Sequence, residues 1–162
     1  MQTRMSELES EALRAQMNPH FIFNALSGIH NLMISNNKDK AAAYLVSFSK
    51  LLRMSLESST EDSVLLEDEI SIIQSYLTLQ QLRHDNKFDF SIEVDSQINP
   101  EITVIPPMLI QQFIENAVEH GIKLKQGEGK VSVNFRLEGN KILCEIDDDG
   151  IGRGKVVKSG QF

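Results

Sequence analysis

The sequence is poor in several residue types, and each shortage excludes a class of protein. Among 162 residues there is no tryptophan and only one cysteine, so an internal disulfide is impossible. That cysteine, Cys144, lies in an alternating segment, which predicts a small buried side chain in a reducing compartment. No apolar run approaches the roughly 18 residues that cross a bilayer, so we expect no direct membrane contact from this segment.

Positive charge is also scarce. Lys and Arg number 16 against 23 Asp and Glu, which leaves a formal net charge of −7. No basic block concentrates positive charge, so we expect no nucleic-acid partner. Nucleotides are still compatible with this charge, because backbone N–H groups and a metal ion can neutralise phosphates.

Glycine and proline are nearly absent before residue 85, where only Pro19 and Gly28 occur. Apolar residues recur there at helical spacing on both sides of a short polar break at 35–38, which predicts an antiparallel helical hairpin. One hairpin cannot bury its own stripe, so pairing of two hairpins into a four-helix homodimer is expected. A third helix is predicted over 66–83. The stripe positions are Leu8, Ala12, Ala15, Ile22, Ala25, Ile29 and Leu32 or Met33, then Ala41, Leu45, Phe48, Leu52 and Leu56.

The second half has a different pattern. Apolar and polar residues alternate over 88–94, 131–137 and 142–146, which predicts strands, with a turn at Glu138-Gly139-Asn140. A helix is predicted from the prolines at 106 and 107 to Gly121, which would cap its end. The fold class is therefore α+β, with a helical region over 1–84 and a sheet-containing domain over 85–162.

Three segments carry candidate chemistry, and the first surrounds Pro19 and His20. A proline inside a helix costs about 3 kcal/mol, so its position needs a reason. One interpretation is a helix restart, with Asn18 as the N-cap and Pro19 at the first position. The other is a distortion that presents His20 as a nucleophile, because a neutral imidazole can attack phosphorus near pH 7.

The second segment is the predicted helix before Gly121. Helical spacing puts Asn116 on a polar face, where its amide is a neutral oxygen ligand suited to Mg²⁺; ordinary solvation of that face is the alternative. His120 would cap the helix end or act directly. The polar face comprises Gln112, Glu115, Asn116 and Glu119, and the buried face Leu109, Ile110, Phe113, Ile114 and Ala117.

The third segment runs from Asp147 to Gly154. Its glycines would let the backbone approach a ligand closely, and the carboxylate of Asp148 could accept a hydrogen bond from the exocyclic amine of adenine. An ordinary acidic turn is the alternative for this segment.

Taken in order, these segments resemble the LytS/YehU-type sensor histidine kinases over residues 12–154. The resemblance is carried by NPHFIFNAL, FSKLLRMSL, LEDEISIIQSYL, PPMLIQQFIENAVEHGI and DDDGIGRG. It implies a dimerisation hairpin followed by a Bergerat-type (GHKL) ATP site, with ATP and Mg²⁺ as cofactors. The γ-phosphate would pass from ATP to a histidine and then to an aspartate on a response regulator receiver domain.

The resemblance also implies a role for each candidate residue. His20 is the autophosphorylated histidine, Asn116 the Mg²⁺ ligand and Asp148 the adenine-reading acid. His120 belongs to the nucleotide site, as do Gly150 and Gly152, which form the first glycine box. Beyond what the resemblance implies, we expect Asn24, one turn later, to orient the imidazole of His20, and Glu115 or Glu119 to polarise it.

One departure concerns the end of the chain, which stops at Phe162 where the family has an ATP lid and a second glycine box. We therefore expect an incomplete ATP-binding domain, with weak or absent autokinase activity in these 162 residues. The alternative is a non-catalytic dimerisation or docking module, or a degenerate kinase fragment. An ATPase of the gyrase or chaperone type is disfavoured, because Gln112 stands where those enzymes have a glutamate. The segment is expected to be cytoplasmic, within a parent protein of the bacterial cytoplasmic membrane.

Overall fold

A computed structural model describes residues 19–85, 87–122, 128–149 and 157–159, with side chains from residue 22 to 149 within these ranges. The chain divides into two compact units, Met1–Asp62 and Ser63–Phe162. This division falls earlier than the boundary near 84–88 that the sequence predicted. The helix between the two positions contacts the sheet of the second unit, because its apolar face is buried there.

The first unit contains the expected hairpin, formed by α1 (Pro19–Ile34) and α2 (Lys38–Ser59). Three residues join the helices, and backbone hydrogen bonds close the turn, from Ser35 N to Asn31 O and from Asn37 N to Leu32 O, both 3.0 Å. Asn36 takes the left-handed conformation (φ 57°) that a tight turn requires. The two helices contact each other, as the short connection demands.

The buried face of α2 differs in part from the predicted stripe. Ala41 and Phe48 are buried as expected, but Leu45 is 49% exposed, and Leu52 and Leu56 are only half-buried. The prediction stepped mostly by four residues, which drifts around the helix, whereas the buried positions alternate steps of three and four. Those positions are Ala41, Tyr44, Phe48, Leu51, Ser55 and Ser58.

The second unit contains one long helix and a mixed sheet. Helix α3 (Leu66–Arg83) has the bounds that its 3.6-residue period predicted. A short antiparallel pair joins β1 (Val64–Leu65) to β3 (Val104–Ile105). The strands of the main sheet are β2 (Phe88–Val94), β4 (Gly129–Glu138), β5 (Lys141–Asp148) and β6 (Val157–Ser159). They lie in the order β2–β4–β5–β6, in which β2 is parallel to β4 and the other pairs are antiparallel.

The sheet confirms the predicted alternation. Val131, Val133 and Phe135 are buried on β4, and Cys144 on β5 is a fully buried small side chain. Gly139 turns the chain between these strands with φ 63°, a conformation that glycine adopts without strain. The described residues thus form the expected α+β fold, a helical hairpin together with a mixed sheet and its helices.

The helix that was expected to begin at the two prolines begins later. Helix α4 covers Gln111–Asn116, and a π-helical segment, Ala117–Ile122, follows it. Met108 has φ 61°, so the backbone turns at that point and cannot continue a right-handed helix from Pro107. For the same reason Leu109, expected on the buried face, is 36% exposed, whereas Ile110 and Ile114 are buried.

Candidate functional site

The period of strand β5 places Asp148 on the covered face of the sheet. Cys144 and Ile146 are buried on that face, and Asp148 lies two residues further along. Because successive side chains of a strand point to opposite faces, Asp148 shares their side and Asp147 does not. The exposures agree, since Asp148 is half-buried and Asp147 is exposed. Of these two acids, Asp148 is the one directed toward the π-helical segment.

Gly121 provides the space that the Asp148 carboxylate occupies. A Cβ atom built at Gly121 would lie 2.8 Å from Cγ of Asp148, and closer still to Oδ1. The sequence predicted a helix-capping role for this glycine, and that prediction was wrong. Among the described glycines only Gly139 has a positive φ, so Gly121 is needed for lack of a side chain and not for a left-handed backbone.

Asn116 is the last residue of α4, and its side chain is exposed. The π-helical segment begins at the next residue and carries His120, which is also exposed, and then Gly121. The chain therefore runs directly from the amide of Asn116 to the contact between Gly121 and Asp148. Gly150 and Gly152 lie outside the described residues.

These residues fit a nucleotide and its metal ion chemically. In the described part of the chain no group of three or more His, Cys, Asp or Glu side chains could enclose a metal. A single exposed amide suits Mg²⁺, which keeps water and substrate phosphates in its shell. A half-buried carboxylate suits an amine donor, because an ionised carboxyl group can only accept hydrogen bonds.

Two polar pairs accompany the helical segment. Nε2 of the buried Gln111 donates to Oε1 of Glu115 over 3.2 Å, one helical turn away. Arg83, at the end of α3, donates from Nη1 to Oε1 of Glu119 over 3.2 Å. Glu119 was expected on a solvated polar face, but its side chain is only 16% exposed. The spacing of residues around Glu119 could not predict its pairing with Arg83, which lies 36 residues earlier in the sequence.

The end of β5 is joined to the start of β4 through Asp149. Lys130 N donates to Oδ1 of Asp149 over 2.6 Å, and Asp149 N donates to the Lys130 carbonyl over 3.2 Å. Next to Lys130, Gly129 faces Ile122, whose Cδ1 would be 2.7 Å from a Cβ atom at position 129. Sequence reasoning had assigned none of these contacts, although glycine beside a strand end is a signal of close approach.

His20 and Asn24 both lie on α1, in the first unit. Their positions in the chain differ by four, which is about one turn of a helix. Pro19 is the first residue of the described helix, and the side chain of His20 and everything before Pro19 lie outside the described part. Both interpretations of this proline, a helix restart and a distortion of the helix, therefore stay predictions.

Glu69, in the first turn of α3, is a buried carboxyl group that sequence reasoning missed. It is 0% exposed, and neither carboxylate oxygen has a hydrogen-bond partner of good geometry within the described residues. Burial raises its pKa from 4.5 to about 7, and the nearby backbone N–H of Met108 offsets part of that rise. The group lies beside the segment that leads into α4.

The hairpin of the first unit presents an outer apolar surface. We use this name for the exposed large side chains of α1 and α2, which range from 49% to 71% exposure. Scattered exposed apolar residues are ordinary, but a group of this size on two adjacent helices favours a protein partner. The outer apolar surface consists of Phe23, Leu26, Met33, Ile34, Leu45 and Val46.

Comparison with known proteins gives a family. Residues 8–88 match the family model described as Histidine kinase. The chain is 33% identical to Sensor protein LytS of Streptococcus agalactiae over 158 residues, 96% of this chain and 26% of that protein. It is 32% identical to Sensor histidine kinase YpdA of Escherichia coli K12 over 147 residues, 91% of this chain and 25% of that protein. The chain thus spans about a quarter of the length of these relatives.

Among solved structures, the histidine kinase domain of the blue-light activated kinase EL346 from Erythrobacter litoralis has a TM-score of 0.46 and 14% identity. The match covers 94% of this chain and 74% of that one. Separately, within the described residues no helix has the length and apolar character to cross a membrane.

Proposed function

The chain belongs to the histidine kinase family and resembles its LytS-type sensor proteins, and from that premise we propose that its second unit binds ATP with Mg²⁺ for phosphorylation of His20. The observation that supports this most directly is the contact of the Asp148 carboxylate with Gly121, at the end of the segment that Asn116 begins. An acceptor for adenine and a neutral ligand for Mg²⁺ thereby lie on connected elements.

The proposed reaction is a phosphoryl transfer in which His20 is the nucleophile. A ring nitrogen of His20 attacks the γ-phosphorus of ATP, the bond from that phosphorus to the bridging oxygen breaks, and ADP leaves. The imidazole loses a proton, and a phosphorus–nitrogen bond remains. A carboxylate of a response regulator then attacks the same phosphorus, which restores His20 and forms an acyl phosphate on the regulator.

Each of the remaining candidate residues has a proposed part in this reaction. Asn24 follows His20 by about one turn of α1 and would hold the imidazole in one orientation. Asn116 would supply one ligand to Mg²⁺, which neutralises phosphate charge when bound. His120, exposed in the π-helical segment, would contact the nucleotide. Gly150 and Gly152 would bring backbone N–H groups to the phosphates. A role for Glu115 in polarising His20 stays a prediction.

The outer apolar surface supports a homodimer. Among the described residues, large apolar side chains on both α1 and α2 are exposed, and a second hairpin would bury them in a four-helix bundle. Dimerisation is also what the non-catalytic alternative would use, so it does not by itself distinguish the two. We propose that a response regulator receiver domain is the second partner and that the parent protein is anchored in the bacterial cytoplasmic membrane.

Adjacent aspartates provide a matched test of the nucleotide site. Asp148→Asn should weaken Mg²⁺-dependent ATP binding about 10- to 150-fold, since a hydrogen bond to a charged group contributes roughly 1.5–3 kcal/mol. Asp147→Asn changes the charge equally on the opposite face of β5 and should leave binding unchanged. Isothermal titration of ATP and GTP measures both, and the Asp148→Asn variant should discriminate less between them because guanine has a carbonyl where adenine has an amine. Equal binding by the two variants would remove Asp148 from the site.

Phosphorylation of His20 needs a separate assay on the full-length protein. Incubation with γ-labelled ATP and Mg²⁺ should give acid-labile label, and His20→Gln should abolish it. The matched control is His30→Gln, which changes an exposed histidine on the same helix. Label that survives His20→Gln would disprove the assignment, and absence of label from the unaltered protein would favour the non-catalytic alternative.

A further inference from the structure

The π-helical segment Ala117–Ile122 is a single turn that connects the two parts of the proposed nucleotide site. π-Helical turns are rare, and their hydrogen bonding does not extend into a longer helix. A segment of this kind keeps its conformation only when surrounding contacts hold it. Its position matters because Gly121 must lie against the carboxylate of Asp148.

Apolar burial anchors one side of the segment. Val118 is 0% exposed and Ile122 is 5% exposed, and Ile122 packs against Gly129 of β4. Hydrophobic contacts of this kind hold the segment to the sheet, but they are not directional. These contacts fix how closely the π-helical segment approaches the sheet, but they do not fix its rotation about the helix axis.

A directional contact comes from α3. Arg83 is the last residue of that helix, and its guanidinium donates to Glu119 over 3.2 Å. The side chains are 15% and 16% exposed, so water screens the pair less than it would on an open surface. Hydrogen bonds between ionised groups are stronger and more restrictive in geometry than neutral ones.

We propose that Arg83 is a positioning residue for the nucleotide site: its ion pair with Glu119 fixes the π-helical segment and thereby holds Gly121 against Asp148. This inference rests on the proposed function for its effect on ATP. It does not depend on that function for its effect on the segment itself. Helix α3 thus reaches the site through its last residue, so displacement of that helix would move Gly121 relative to the adenine-binding acid, Asp148.

The test uses substitutions that keep side-chain volume. Arg83→Met retains the apolar stem and removes the charge, and Glu119→Gln removes the partner charge. The double variant Arg83→Glu with Glu119→Arg, called here the exchanged pair, restores an ion pair in which the two charges are reversed. Arg136→Met is the matched control, because Arg136 forms an ion pair with Glu145 over 3.5 Å on the sheet and is 60% exposed.

Two readouts are needed. The first is hydrogen exchange of the amides of residues 117–122, which requires no nucleotide. Arg83→Met and Glu119→Gln should each lower protection there, the exchanged pair should restore it, and Arg136→Met should leave it unchanged. The second is the dissociation constant for Mg–ATP, which should rise about five- to tenfold in each single variant and recover in the exchanged pair.

The outcomes separate the inference from the proposed function. Unchanged protection of 117–122 in Arg83→Met would overturn the inference, whatever the binding result. Weaker ATP binding that the exchanged pair fails to restore would also overturn it, since Arg83 would then act on the nucleotide directly. The unaltered protein could bind no ATP while the variants still changed the hydrogen-exchange protection of residues 117–122 as expected. In that case the proposed function would fail and the structural role of Arg83 would stand.

Discussion

Glu69 allows a prediction of how stability depends on pH. Its carboxyl group is fully buried in the first turn of α3, and its pKa rises from 4.5 to about 7 because burial penalises the charged form. Between these two values the folded protein keeps the proton while the unfolded chain releases it. The folded state then binds more protons than the unfolded state, so the free energy of unfolding falls as pH rises through this window and levels off above it.

The magnitude follows from the size of the rise. Each factor of ten in an ionisation constant corresponds to about 1.4 kcal/mol, so a rise from 4.5 to about 7 amounts to roughly 3 kcal/mol over the whole window. Glu69→Gln removes the titration and keeps the shape. We expect the free energy of unfolding of this variant, relative to that of the unaltered protein, to increase by about 2–3 kcal/mol between about pH 5 and about pH 8.

The assay is urea unfolding followed by far-UV circular dichroism, because the chain has no tryptophan to report by fluorescence. Asp68→Asn is the matched control, since Asp68 is exposed in the same turn of α3 and its removal alters the net charge equally. The control should follow the unaltered protein at each pH. Parallel pH profiles for Glu69→Gln and the unaltered protein would refute the argument, because the buried carboxyl would then not be the group that titrates.

Two further outcomes are expected. Gly121→Ala should weaken Mg–ATP binding at least about tenfold in isothermal titration, because the new methyl group would displace the Asp148 carboxylate. Gly139→Ala is its control, because a Cβ atom there meets no atom of the described residues within 4 Å. Only the strain of φ 63°, about 1 kcal/mol of stability, is expected, with no loss of ATP affinity. Phe23→Ser combined with Val46→Ser should shift a dimer toward monomer in sedimentation equilibrium, with far-UV dichroism unchanged. An unchanged dimer would place the interface elsewhere.

Local periodicity predicted much of the fold. The bounds of α3 and the alternation of β4 and β5 were legible because a helix repeats every 3.6 residues and a strand every two. The burial of Cys144 followed from the same alternation. Asp148 could also be chosen over Asp147 in this way, since it continues the face of Cys144 and Ile146.

The predictions that failed depended on contacts beyond one element. The two prolines suggested a helix start, but the left-handed backbone at Met108 delays it to Gln111. Gly121 resembled a helix cap, and only the position of Asp148 across the fold shows why a side chain is excluded there. In α2, a step of four residues from Ala41 leads to Leu45, whereas a step of three leads to the buried Tyr44. Both steps are helical and both side chains are largely apolar, so the sequence did not distinguish them.

By itself, then, the sequence determined the classes of element, the faces of most of them and the family resemblance that names His20, Asn116 and Asp148. Tertiary structure alone decided that Arg83 meets Glu119 across 36 residues, that Glu69 is buried without a partner of good geometry in the described residues, and that Gly121 makes room for a carboxylate. The physical reason is that periodicity records which side of an element avoids water. Which side chain of a distant segment packs against that side depends on the tertiary fold, and no local pattern encodes it.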